Sequence, residues 1–343
     1  MAHTELNLKN VPAINIIVGK NDSGKTGLLK LLYATVKSLE VHSIKEKKVS
    51  FRKELSEKLD STFMVDKLGD LTQRGSNEKL EVALRIGSKN NANYDEPIEF
   101  QFGDRTENTI TSGSDSPRVL PEDSLKAVFI PAKEVLTAFK DIRNLREIHH
   151  QRGFDDTYLD LIQALDVSTT QGKIATELKK VNQILENLFE GKIEQSRVEG
   201  KSFVYKKGKQ EFSMHQTAEG IKKIGILTTL IGNRQIGKGT ILFMDEPETA
   251  LHPNAIRKMV EMLIAMSNAG VQIFIATHSY FVIKQMAIHA KKDKLNISCW
   301  SLEKEKGKMV TNSFHNLIDG ILPANAIVDE TLAMYNEDLK LSL

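Results

Sequence analysis

Three short clusters hold the residues able to do chemistry. The first, Gly19-Lys20-Asn21-Asp22-Ser23-Gly24-Lys25-Thr26, directly follows the apolar run Ile14 to Val18. Glycines in such a loop permit a tight turn that other residues resist. The backbone amides of Gly19, Asn21, Asp22, Ser23 and Gly24, with the Lys25 ammonium, then wrap the β and γ phosphates of a nucleotide, while the Thr26 hydroxyl ligates Mg²⁺. The second cluster is Asp245-Glu246-Pro247-Glu248, at the end of the apolar run Ile241 to Met244. A buried strand ending in two carboxylates brings Asp245 beside the phosphate loop, where it holds Mg²⁺ through water. Glu246 is then placed to orient and deprotonate an attacking water. The third cluster, Ala276-Thr277-His278-Ser279, ends the next strand, where a histidine can hydrogen-bond a γ-phosphate and report its presence. Catalysis is thus assigned to Glu246, His278 and Lys25, and metal binding to Thr26 and Asp245.

These clusters need a sheet to hold them. Four runs, Ile14 to Val18, Ala127 to Ile130, Thr240 to Met244 and Val271 to Ala276, are aliphatic or β-branched without alternation. That is the signature of parallel strands covered on both faces. After the phosphate loop, apolar residues at Leu28, Leu29, Leu32, Val36 and Leu39 predict a helix whose positive end faces the phosphates. Leu80 to Ile86 and Ile98 to Phe102 alternate and read as antiparallel strands on the flank of the sheet, joined by the polar loop 87–97. A second polar loop spans 104–121. From Glu134 to Phe189 the spacing turns helical, Ile193 to Lys209 reads as a hairpin turning at Gly200 and Gly208, and Ile221 to Ile231 is helical again.

The composition excludes several classes. At 343 residues the chain accommodates two ordinary domains or one large α/β domain with an insertion. A formal charge of +2 argues against a global field for nucleic acid or membrane. The lysine-rich stretch Lys45 to Lys58 is interleaved with glutamate, as on a solvated helix face. Cys299 is the sole cysteine, which rules out an intramolecular disulfide, and its apolar neighbours predict a buried inert thiol. No stretch approaches the roughly 20 apolar residues that span a bilayer, so the expected location is the cytosol. Asp155-Asp156 and His149-His150 read as helix caps or solvated groups rather than metal ligands, since no third ligand has suitable spacing.

The motifs "GKNDSGKT", "LFMDEPETALHP" and "ATHS", in this order over nearly the entire chain, resemble the ATP-binding-cassette superfamily ATPases, in the branch of RecF, SMC and OLD-like proteins. "FIPAKEVL" at Phe129 to Leu136 and "GILPANAIVDE" at Gly320 to Glu330 look OLD-like as well. The resemblance implies an α/β P-loop NTPase fold with a mainly parallel central sheet, an antiparallel flank and an inserted helical subdomain. It implies a single ATPase domain over 1–343 with a helical and signature insertion at about 134–235. ATP and Mg²⁺ are the implied cofactors. The same family assigns Mg²⁺ to Asp245, catalysis to Glu246 and the switch position to His278.

Resemblance further implies a head-to-tail homodimer, or a higher homo-oligomer, with nucleotide clasped between the phosphate loop of one copy and the signature of the other. The matching segment is Thr217-Ala218-Glu219-Gly220-Ile221-Lys222-Lys223, with Thr217, Glu219 and Gly220 toward the nucleotide and Thr249 to His252 at the interface. It departs from the usual Ser-Gly-Gly-Gln form. The glutamine expected after the strand ending at Pro131 is also missing, which leaves Lys133 or Glu134 to link nucleotide and insert. Too few residues follow His278 for a nuclease domain of the OLD kind. The expected function is therefore an ATPase subunit controlling a separately encoded effector, a nuclease or toxin, in bacterial antiviral defence. The alternative is a RecF-like repair ATPase acting directly on DNA.

Overall fold

A computed structural model describes residues 8, 11–44, 49–72, 78–86, 97–117, 125–145, 153–167, 176–196, 203–304, 310–320, 322 and 326–342. Residues 45–48, 87–96, 118–121, His149-His150, Gly200, 321 and 323–325, which fall in segments named above, lie outside them.

In chain order, β1 (Ile14–Gly19) leads into α1 (Lys25–Ile44) and α2 (Phe51–Phe63), then β2 (Leu80–Leu84), β3 (Ile98–Phe102) and β4 (Ser112–Gly113). Next come β5 (Lys126–Ile130), α3 (Phe139–Arg143), α4 (Asp156–Asp166), α5 (Thr176–Phe189), β6 (Lys192–Gln195), β7 (Phe203–Lys207), β8 (Gln210–Ser213) and α6 (Glu219–Gly232). β9 (Thr240–Asp245), α7 (Pro253–Asn268), β10 (Gln272–Thr277), α8 (Tyr280–Asp293), β11 (Ile297–Lys304), β12 (Val310–Asn316) and α9 (Ala326–Ser342) follow.

The central sheet has six strands in the order β12-β11-β1-β10-β9-β5. All its pairings are parallel except β11 with β12. Successive side chains of a strand point to opposite faces, and here each face has its own core. Ile14, Ile16, Val18, Leu242, Met244, Ile273 and Ile275 pack with α7, α8 and the residues between β5 and β9. Ile17, Phe129, Phe243, Phe274 and Ala276 pack with α1, α2 and the β2–β4 sheet. Each fully buried aliphatic or aromatic side chain contributes about 1.5–3 kcal/mol, so burial on two faces fixes both strand order and register. Tyr33 of α1 sets its ring 5.3 Å from that of Phe129 and 5.8 Å from that of Phe243, anchoring the helix that follows the phosphate loop.

The four expected parallel strands occupy this sheet, but it holds two more. β11 lies beside β1 with Ile14 opposite Ile297, and β12 forms an antiparallel edge. The two alternating segments do pair antiparallel, Leu80 opposite Phe102, yet with β4 they make a separate three-stranded sheet. Their inward faces, Ile98, Phe100 and Phe102, cover the α1 and α2 side of the core instead of extending the central sheet. The expected hairpin between β5 and β9 is present and gains a strand: β6, β7 and β8 form a three-stranded antiparallel sheet, turning between β7 and β8 at Gly208, whose φ is +59°.

Lys58 departs from the solvated face expected of it. It is turned inward from α2, 3.0 Å from Asp156 and 2.5 Å from Asp160 of α4. Asp155 caps α4 by accepting the Thr157 amide at 2.8 Å and pairs with Lys30 at 2.7 Å. Both aspartates therefore tie α4 to α1 and α2. No described helix is long and apolar enough to cross a membrane.

Candidate nucleotide site

Parallel pairing of β1, β10 and β9 brings the C-terminal ends of three strands side by side. The loop after β1 is forced into its shape by its neighbours. A Cβ on Gly19 would stand 2.3 Å from the Leu302 carbonyl oxygen of β11, so no side chain fits there. Asp22 and Gly24 take φ of 63° and +90°, turning their amides along the inner rim before α1 begins at Lys25. Nothing would lie within 4 Å of a Cβ on Gly24, which leaves the rim open.

Lys25 curls back over this loop. Its Nζ donates to the carbonyls of Gly19 at 2.9 Å and Lys20 at 2.8 Å. Burial pushes its pKa down, against the opposing pull of the carboxylates of Glu246, Asp245 and Glu248. Thr26, one residue on, donates its hydroxyl to Asp245 at the end of β9, 3.1 Å from Oδ1 and 3.0 Å from Oδ2. Burial raises the Asp245 pKa, and the Thr26 hydrogen bond works the other way.

A hydroxyl beside a buried carboxylate is a pair of hard oxygen donors, which suits Mg²⁺ and not a soft metal. The buried Ser23 hydroxyl has no hydrogen-bond partner, and the Gly24 rim is open, so this loop has both unspent polarity and space for phosphate oxygens. The residues thus fit a Mg²⁺-nucleotide. Among the described residues no group of three or more His, Cys, Asp or Glu is arranged to hold a metal by itself.

Glu246 follows with φ of 44°, a backbone conformation uncommon outside glycine. Its amide donates to the Ala276 carbonyl at 2.9 Å, and its carbonyl accepts from Lys223 Nζ at 3.0 Å. That corner turns the carboxylate to meet His278, whose Nδ1 lies 3.0 Å from Glu246 Oε1. The His278 side chain is 49% exposed and that of Glu246 30%, so the pair faces outward from the strand ends. Glu248, by contrast, is buried: Thr277 Oγ1 donates to its Oε1 at 2.5 Å, and Oε2 has no partner. Burial raises the Glu248 pKa.

The structure thus brings Gly19, Asn21, Asp22, Ser23, Gly24, Lys25 and Thr26 to one rim, with Asp245, Glu246 and His278 at the neighbouring strand ends. Thr217, Glu219 and Gly220 are differently disposed. Thr217 is buried and donates its hydroxyl to the Ser213 carbonyl at 2.8 Å. Glu219 opens α6 and accepts from Lys222 at 2.7 Å. Gly220 packs against the segment after Glu248, since a Cβ there would meet Leu251 Cδ2 at 2.9 Å and the Ala250 carbonyl at 3.3 Å. Their nearest partners are therefore Ser213, Lys222, Ala250 and Leu251.

Sequence reasoning passed over two residues and left a third open. Lys222 and Lys223 stand adjacent in a mostly apolar helix, a signal that was readable but unused. Lys222 Nζ lies 2.8 Å from Thr137 Oγ1 and 3.4 Å from Glu134 Oε1. Glu134 Oε2 accepts the Leu136 amide at 2.7 Å, so Glu134, and not the exposed Lys133, links the end of β5 to α6.

A loop of this shape before α1, with a Thr–Asp pair and a second carboxylate directly after that aspartate at the end of β9, defines an ABC-type P-loop ATPase of α/β fold. Residues 14–284 match the family described as "AAA domain, putative AbiEii toxin, Type IV TA system", and the chain belongs to that family. Such P-loop ATPases bind ATP and Mg²⁺ as a class. A curated relative, "Old nuclease" of Escherichia phage P2, is 50% identical over 40 residues, which cover 12% of this chain and 7% of that protein. The chain therefore spans a small fraction of that relative's length. Among solved structures, the fold is similar to "Crystal structure of the SmcHead bound to the C-winged helix domain of ScpA", with a TM-score of 0.52, 13% identity and coverage of 90% of this chain and 91% of that one. "SMC head domain from Thermotoga maritima" matches with a TM-score of 0.44, 14% identity and coverage of 88% and 89%.

Proposed function

We propose that this chain binds Mg²⁺-ATP at Lys25, Thr26 and Asp245, hydrolyses it with Glu246, and thereby closes and opens a homodimer that controls a separately encoded effector in antiviral defence. The observation that carries the reading is the Thr26–Asp245 hydrogen bond, with Glu246 next in the chain. It joins the start of α1 to the end of β9, the two places from which a phosphoryl group must be gripped and attacked.

The roles follow from chemistry. Lys25 exchanges its carbonyl partners for phosphate oxygens, which as anions make the stronger charge-assisted bonds. Mg²⁺, when bound, neutralises charge across the β and γ phosphoryl oxygens. Glu246 takes a proton from the attacking water, and His278 holds the Glu246 carboxylate from the neighbouring strand end. Positioning of this kind contributes typically about 10²- to 10⁴-fold in rate. Residues 1–343 act as one ATPase domain, with about 134–235 as its insertion. Thr217, Glu219 and Gly220, at and just before the start of α6, meet nucleotide held by the second copy.

The family's association with a putative toxin system and the short match to a phage nuclease support an effector outside this chain. The test is ATP turnover by the purified protein, with Lys25→Ala and Glu246→Gln beside it. Lys25→Ala should lose nucleotide binding. Glu246→Gln should bind ATP, stop turning over and elute as a dimer only with ATP and Mg²⁺. Wild-type turnover in Glu246→Gln would sink the reading. Native purification followed by mass spectrometry should recover a second, stoichiometric protein.

A further inference from the structure

Lys223 lies in the first turns of α6, and only 7% of it is exposed. Burying an ammonium is costly unless something specific receives it, and an aliphatic residue would pack at that place with less penalty. What receives it is a backbone atom: the carbonyl oxygen of Glu246, at 3.0 Å. Glu219, Asp245, Glu246 and Glu248 surround the charge with opposite sign, while burial pushes the Lys223 pKa down.

The receiving peptide is the corner at which β9 ends. Left-handed backbone at a residue with a side chain is strained, so the Glu246 corner persists only if held from outside. It is held at both ends, by the Ala276 carbonyl on the amide and by Lys223 on the carbonyl. The first bond belongs to the sheet. The second belongs to α6, the helix that opens at Glu219 and whose other buried lysine, Lys222, grips Thr137 and Glu134 after β5. Through these two ammonium groups α6 is tied to the ends of two strands.

We propose that Lys223 is a positioning residue for hydrolysis, fixing through the Glu246 carbonyl the corner from which the Glu246 carboxylate is aimed. It rests on the reading of Glu246 as the group that activates water. Because the lysine stands on the helix headed by residues 217–220, a shift of that segment is passed to the Glu246 backbone by one hydrogen bond.

The test compares wild type, Glu246→Gln, Lys223→Met and Lys223→Gln for steady-state ATP turnover, ATP affinity by equilibrium fluorescence titration, and melting temperature without nucleotide. Lys223→Met keeps the length and apolar stem but has no donor. Its kcat should fall at least about tenfold while KM and Kd for ATP stay within about threefold, the pattern of lost aim and not of lost binding. Lys223→Gln, too short to reach the carbonyl, should behave alike and decides the matter if the methionine variant does not fold. A double-mutant cycle with Glu246→Gln should show that the second change costs almost nothing once Glu246 is neutral. Turnover in both Lys223 variants within twofold of wild type overturns the proposal. So does a parallel loss of kcat, affinity and melting temperature, which marks a purely structural lysine. A Glu246→Gln variant that hydrolyses like wild type instead removes the reading beneath it, and the two failures are told apart by that one sample.

Discussion

His278 Nδ1 stands 3.0 Å from Glu246 Oε1, so adjacent strand ends β10 and β9 touch through one histidine and one carboxylate at the mouth of the site. The ring nitrogen donates and the carboxylate accepts, which fixes the direction in which the remaining carboxylate oxygen points. His278→Ala should therefore lower kcat by at least about tenfold through misaim of Glu246, with little change in ATP affinity. Single-turnover hydrolysis set against equilibrium binding measures both.

Gly19 is confined by β11. A methyl group there would stand 2.3 Å from the Leu302 carbonyl and 2.6 Å from Ser23 Oγ. Gly19→Ala should destabilise the fold by about 1–3 kcal/mol or more and abolish nucleotide binding, because either the loop or β11 must shift. Thermal melting with and without ATP would read both effects. At Gly24 the obstacle is conformational and not steric: a Cβ meets nothing within 4 Å, but φ is +90°. Gly24→Ala should be the milder change, at about 1–2 kcal/mol.

Tyr33 donates its hydroxyl to Asp160 Oδ2 at 2.5 Å within the wall that joins α1 to α4. Burial, with Asp160 beside it, pushes the phenol pKa well up, so the group remains a donor. Tyr33→Phe should cost about 1.5–3 kcal/mol in denaturant unfolding, the range for a hydrogen bond to a charged partner. Lys58, at 2.5 Å from the same aspartate, keeps the remaining carboxylate from being abandoned and holds the loss within that range.

Cys299 sits at 0% exposure in β11, and burial alone pushes its thiol up to about 12. Between the ordinary thiol value of about 8.5 and that point, the folded chain keeps a proton that the unfolded chain gives up. The contribution to stability is full below the ordinary value and is lost as pH rises toward 12. Thiol reagents near neutral pH should leave the native protein unlabelled and react promptly once denaturant is added.

The phosphate loop, its helix and the strands ending at Asp245 and Thr277 were legible because each is short, apolar and followed by residues with one evident chemistry. β11 was not. Ile297 to Leu302 mixes two serines and a cysteine into a buried strand, so hydropathy understates it; Ser298 and Ser301 are nevertheless buried between neighbours. The β6–β7 hairpin was legible despite its charge, and only β8 beyond it was not: Lys192, Glu194 and Lys206 pair across the sheet surface while Ile193, Phe203 and Tyr205 face the core. Lys58 misled, and Lys223 was passed over, for the opposite reason. Only the folded chain shows that aspartates from α4 and the carbonyl just after β9 wait for them, and a lysine's partner at such separation leaves no local pattern. Of the site, the groups on strand ends could be read; those reaching in from α6 could not.

β1 pairs only with strands far along the chain: Ile14 lies opposite Ile273 on one side and Ile297 on the other. An earlier segment thus occupies a slot whose two walls come much later in the chain. Closing such distant contacts is slow, because the chain must surrender its freedom before any reward arrives. During synthesis the Lys25 loop therefore lacks its finished form until β10 and β11 have emerged.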